Sequence, residues 1–163
     1  MAKVVAFREH AGLLIAAYLD FKYITGFRQG DILRIRRDQL RDDGVHIKIG
    51  KSGKKRIMQW SDDLHAAVDA VGHLKRPVRG LHLFCTRAGQ PYTGDGFRSI
   101  WQRKMRSALE AGILKERFRD HDIRANSASD TDREHAIELM THQDGRIADK
   151  HYRRKPAKMR PLR

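Results

Sequence analysis

Six polar residues scattered along this chain could together break and rejoin a phosphodiester. Arg28 stands in Thr25-Gly26-Phe27-Arg28, and Lys51 in the turn Gly50-Lys51-Ser52-Gly53-Lys54. His121 and Arg124 are spaced i, i+3 in His121-Asp122-Ile123-Arg124. His142 follows an apolar, helix-like run, and Tyr152 lies in Lys150-His151-Tyr152-Arg153-Arg154-Lys155. Attack on a phosphodiester spreads negative charge over the phosphoryl oxygens, and cations of fixed geometry stabilise that state. Arginine suits the task because its planar fork holds two oxygens and stays charged. Arg28 and Arg124 would be two such clamps. A neutral histidine can take a proton near physiological pH and then donate it. Tyrosine, with a pKa of about 10, becomes a nucleophile only when a base and nearby cations help it ionise. A lysine at a flexible turn can hand a proton to a leaving oxygen. Asp31, one helical turn after Arg28, could brace that guanidinium or form an ordinary surface i, i+3 pair.

Other chemistries fit less well. The chain has nine histidines but no His-Glu-x-x-His and no cysteine-rich spacing, so no metal site is expected. Gly-Lys-Ser-Gly is not a phosphate-binding P-loop, because the longer glycine-rich run and the following helix are missing. No Gly-x-Ser-x-Gly elbow occurs. Cys85 is the only cysteine and lies in an apolar run, which reads as a buried structural thiol. Neither cofactor nor metal is called for.

The elements that must position these residues are mostly helical. Leu14, Ala17, Tyr18 and Phe21 recur at helical spacing, which predicts a helix over Leu13 to Ile24 with Gly26 at its left-handed end. A second helix is expected from about Arg28, carrying Ile32, Leu33 and Ile35. Val45, Ile47 and Ile49 alternate with polar residues as a half-buried strand. Ser52-Gly53 supplies a turn, and Arg56 to Trp60 returns as its partner. Ser61 caps a helix whose first turn carries Asp62 and Asp63. Leu81 to Cys85 reads as a short strand. A long helix then carries Phe97, Ile100, Trp101, Met105, Ala108 and Leu109, with Arg98, Arg103, Lys104 and Arg106 interleaved, and Gly112 ends it. A further helix is expected near Ile123, and Thr131-Asp132-Arg133-Glu134 has the spacing of a capping box for another.

Lys and Arg number 34 against 20 Asp and Glu, a formal net charge of +14 in 163 residues. Such a balance favours a polyanionic partner, most simply nucleic acid, and is silent on fold. The apolar stretch from Gly12 to Leu19 is too short to span a bilayer, which leaves a soluble, cytoplasmic protein as the expectation. From Arg146 onward, basic residues outnumber the single acid Asp149, giving a basic tail.

The ordered boxes resemble those of the tyrosine recombinases, the phage integrase family. Thr25-Gly26-Phe27-Arg28-Gln29-Gly30-Asp31-Ile32-Leu33 is similar to its first arginine box, and Gly50-Lys51-Ser52-Gly53-Lys54 to its lysine hairpin. His121-Asp122-Ile123-Arg124 resembles its His-x-x-Arg box. Leu139-Met140-Thr141-His142 and His151-Tyr152-Arg153-Arg154-Lys155-Pro156 resemble its last two. Thr141 departs from the usual glycine, and the interval from His142 to Tyr152 is one residue longer than the commonest.

The resemblance implies an α+β, mainly helical catalytic domain over residues 1–155, with a small antiparallel sheet of three strands on one edge, and a basic tail over 156–163. It implies that Tyr152 cleaves one strand of double-stranded DNA to give a 3′-phosphotyrosyl link. Arg28, Arg124 and His142 would hold the phosphate, His121 would handle the tyrosine proton, and Lys51 would protonate the 5′ oxygen. Family members carry a helical DNA-clamping domain before the catalytic one, which is expected to be absent here. A full-length enzyme would act as a tetramer on DNA, whereas this chain alone is expected to be a monomer. Two other readings remain open: a type IB topoisomerase-like DNA-relaxing enzyme, and a non-catalytic basic DNA-binding module derived from an integrase.

Overall fold

The computed structural model describes residues 2–50, 53 and 55–129. Six α-helices and one three-stranded sheet make up this part: α1 (Ala2–Ala11), α2 (Leu13–Thr25), α3 (Gln29–Leu33), β1 (Leu40–Arg41), β2 (Gly44–Lys48), β3 (Lys55–Met58), α4 (Asp62–Gly72), α5 (Gly94–Glu110) and α6 (Asp120–Ser129). The architecture is the expected one, mainly helical with a small antiparallel sheet. Lys51, His142, Tyr152, the capping box at Thr131 to Glu134 and the basic tail lie outside the described residues.

Helix α2 is the centre of the core. It packs against α1, α4 and α6, and it buries Ile15, Ala17, Tyr18, Leu19, Phe21, Lys22 and Thr25. Around Tyr18 the rings of Phe84, Phe97 and Trp101 pack at centroid distances of 5.8, 4.5 and 6.4 Å. The contacts with Phe84 and Trp101 are edge-to-face and the one with Phe97 is tilted, and such pairs add to the burial of large aromatic area. Gly26 closes α2 in the left-handed conformation (φ 61°), and its N–H bonds back to the Lys22 carbonyl at 2.8 Å. A side chain there would strain the backbone, which is why glycine suits this helix end.

The sheet order is β1-β2-β3, antiparallel throughout. Val45 faces Met58 and Lys48 faces Lys55, and Val45 and Ile47 are the buried apolar positions of β2. Ser61 caps α4 by accepting the Leu64 N–H at 3.2 Å, as the sequence predicts.

Three expectations need correction. Leu81 to Cys85 forms no strand: only isolated bridges join Arg36 to His82 and Cys85 to Pro91. Leu83, Phe84 and Cys85 are buried and Leu81 is exposed, so the run is an apolar plug in a loop, and its hydrophobicity reports burial and not pairing. Helix α3 stops at Leu33, and Ile35 is buried outside it. Helix α6 starts at Asp120, before Ile123. In addition, α1 has no counterpart in the sequence reading. Its anchors are only Val4, Phe7 and Ala11, with Phe7 edge-on to Trp101 and Phe118 at 5.1 and 5.3 Å.

Candidate active site

The turn after α2 and the start of α6 bring the first arginine box and the His-x-x-Arg box together. Arg28 is the extended residue that opens α3, and its carbonyl accepts the N–H groups of Asp31 and Ile32 at 2.9 and 3.0 Å. Its side chain is half-buried. Arg124 is 2% exposed, an extreme value for a guanidinium. Its Nη1 donates to the carbonyl of Gly26. The left-handed glycine therefore ends the helix and also presents a carbonyl that holds the second arginine. Two arginines almost a hundred residues apart in sequence are thus tied to a single turn.

Asp31 does not brace Arg28. It is 4% exposed, and its Oδ1 accepts from Arg34 Nη2 at 2.8 Å and from the Gly50 N–H at 3.0 Å. The i, i+3 pair it forms is with the arginine on its other side, because α3 turns that face toward the sheet. Gly50 opens the connection that carries Lys51, so Asp31 anchors the root of the lysine hairpin to the arginine box. Replacing Asp31 by Ala removes a charge-assisted acceptor, a bond worth roughly 1.5–3 kcal/mol where it is desolvated. The expected outcome is faster amide exchange at Gly50 with the helical core retained. Unchanged exchange at Gly50 would refute the anchoring role.

His121 is exposed on one side and lies at the edge of a cleft of about 690 Å³ between the loop before α6 and the face of α5. Gln29, Arg98, Arg117 and Arg119 line the same cleft over a floor of Trp101 and Met105. Its imidazole is held below the ordinary histidine range, first by loss of hydration and then by the positive charges of Arg124 and Lys22, with Asp120 and Asp122 opposing. A lowered pKa leaves the ring neutral at pH 7, the form able to accept a proton.

The sequence reading missed Lys22, Asp120 and the hydroxyl of Tyr18. Lys22 Nζ pairs with Asp120 Oδ2 at 2.8 Å, and Tyr18 Oη donates to Asp120 Oδ1 at 2.7 Å. Tyr18 was legible as core, and it is fully buried. The available signal was Lys22 itself, a cation four residues after Tyr18 and so on the same, largely apolar face of α2.

Of the sequence-based candidates, Arg28, Asp31, His121 and Arg124 fall within the described residues, and all four converge on the α2–α3 turn, the base of the hairpin and the α6 start. Among the described residues no group of three or more His, Cys, Asp or Glu side chains is arranged to hold a metal, and no helix is long and apolar enough to cross a membrane.

Comparison with known proteins decides the family. The sequence matches the phage integrase family over residues 2–159. The chain belongs to the phage integrase family. Its fold is that of solved tyrosine recombinase catalytic cores. A lambda integrase(75-356) dimer bound to a COC' core site superposes with a TM-score of 0.75 at 17% identity, covering 97% of this chain and 60% of that one. The lambda integrase catalytic core alone gives 0.69 at 16% identity, covering 87% of this integrase-family chain and 90% of the core. XerA recombinase gives 0.72 at 16% identity, covering 94% and 57%. This chain therefore spans little more than half the length of the longer relatives. No curated protein matches it in sequence.

Proposed function

We propose that this chain is the catalytic domain of a tyrosine recombinase, which cleaves and rejoins double-stranded DNA through a 3′-phosphotyrosyl intermediate. The observation that carries the reading is the burial of Arg124 on the Gly26 carbonyl, two residues from Arg28. A surface arginine has no reason to be desolvated there, whereas a phosphate clamp gains rigidity from it. Membership of the integrase family and the cleft rimmed by Arg98, Arg117 and Arg119 support the same partner.

In this reading the Tyr152 oxygen attacks the phosphorus as the bond to the 5′ oxygen breaks. The tyrosine proton passes to neutral His121. Lys51 gives a proton to the departing 5′ oxygen. Arg28, Arg124 and His142 hold the non-bridging oxygens. The phosphotyrosine conserves the bond energy, so rejoining reverses the steps with a second 5′-hydroxyl as nucleophile. All charge neutralisation and proton transfer come from side chains. We therefore expect cleavage to proceed undiminished in EDTA. Loss of cleavage in chelator with recovery on adding magnesium would replace this reading with a metal-dependent nuclease.

Binding should be governed by phosphates. Each neutralised phosphate adds about −0.9 to the slope of log affinity against log salt. Charge reversal at Arg117 and Arg119 is expected to make that slope shallower and to weaken all DNA sequences alike. An unchanged slope would remove the cleft from the DNA path. A plasmid assay separates the neighbouring readings: relaxation without partner exchange would indicate a topoisomerase-like activity, and binding without nicking a non-catalytic module.

A further inference from the structure

We propose that Lys22, Asp120 and Tyr18 form a buried positioning cluster that locks the start of α6 onto α2, and so holds His121 and Arg124 in register with the Arg28 turn. This rests on the recombinase reading only for its catalytic consequence. The cluster itself follows from geometry. Lys22 is 1% exposed, and its ammonium reaches Asp120 Oδ2 at 2.8 Å, with Tyr18 Oη and the Phe27 carbonyl both at 3.4 Å. Asp120 takes its second bond from Tyr18 at 2.7 Å. A lysine is rarely desolvated unless paired, because the unpaired charge would be very costly. Here the pair spans two helices, and the cluster's contacts fall one residue before each of two candidate site residues. Phe27 precedes Arg28, and Asp120 precedes His121.

A pair placed there also acts on His121 by charge. Arg124, Asp120 and Asp122 of its own helix and Lys22 of α2 act on the imidazole by charge, and Arg98 of α5 and Arg117 and Arg119 of the preceding loop line the cleft that it edges. Lys22 disfavours the imidazolium and Asp120 favours it. The two halves of the pair therefore pull His121 in opposite directions. Removing Lys22 should make His121 easier to protonate, and removing the Asp120 charge should make it harder. A cluster that merely filled space would give no such opposition.

The test is a proton NMR titration of the full chain, with the His121 resonance identified by its absence in His121→Gln. Lys22→Met should move the His121 midpoint upward and Asp120→Asn downward. The double variant should lie between the single ones. Tyr18→Phe, which keeps both charges, should leave the midpoint in place. Circular dichroism checks folding. Should Lys22→Met fail to fold, Asp120→Asn and the double variant still give the sign. Midpoints that stay fixed, or that move the same way in both single variants, would overturn the proposal. The titration needs no DNA, so its outcome is separate from that of the recombinase reading. If the parent also forms a covalent DNA adduct, the acid limb of cleavage should shift with the same signs.

Discussion

Arg28→Ala and Arg124→Ala are each expected to slow DNA cleavage by roughly 10³–10⁵, the range seen for an arginine that stabilises phosphoryl-transfer charge. Their effects on stability should differ. Arg28 is half-buried, so its loss should leave the unfolding midpoint nearly unchanged. Arg124 is buried on the Gly26 carbonyl. Its removal strands a buried acceptor, which costs about 1–3 kcal/mol, and adds a cavity. Arg124→Lys keeps the charge but loses the fork, and should recover little of the rate. Single-turnover cleavage with urea denaturation of each variant measures both effects. Rates within a few-fold of the parent would show that the two arginines hold the fold and not a phosphate.

Tyr152→Phe is expected to abolish covalent attachment to DNA and to leave equilibrium binding close to that of the parent. The change deletes one oxygen, the only atom that the proposed reaction needs from this residue. Binding is carried by many phosphate contacts and so should hardly register the loss. Gel-shift affinity and denaturing-gel adduct yield, measured on the same samples, give the two halves of the result. An undiminished adduct would assign the nucleophile to a different residue.

Much of the scaffold was legible because local signals agreed with tertiary demands. Gly26 as a left-handed helix end, Ser61 as a cap, and the alternation at Val45 and Ile47 each have a short-range physical cause, and each is found in place. The run at Leu81 to Cys85 misled because apolar residues mark burial whether or not a strand neighbour exists. Helix α1 escaped because three anchors among charged residues make a weak stripe, and its stability comes from distant rings, Trp101 and Phe118.

The candidate site follows the same division. Ordered boxes named Arg28, His121 and Arg124, but sequence spacing could not show that Asp31 would turn to Arg34 and Gly50 and away from Arg28. Nor could it show that Lys22 and Asp120 would meet, because their pairing depends on how α2 and α6 pack. Long-range polar pairs leave no periodicity behind.

In the proposed reaction this chain acts through a phosphotyrosine at Tyr152. The most direct measurement incubates it with a pool of nicked duplexes carrying randomised core sequences, traps covalent species, digests with trypsin and sequences the adduct by mass spectrometry. A nucleotide 3′-phosphate on the peptide His151-Tyr152-Arg153 is the expected product. An adduct mapped to another residue, or strand cleavage that leaves no covalent species, would contradict that reaction.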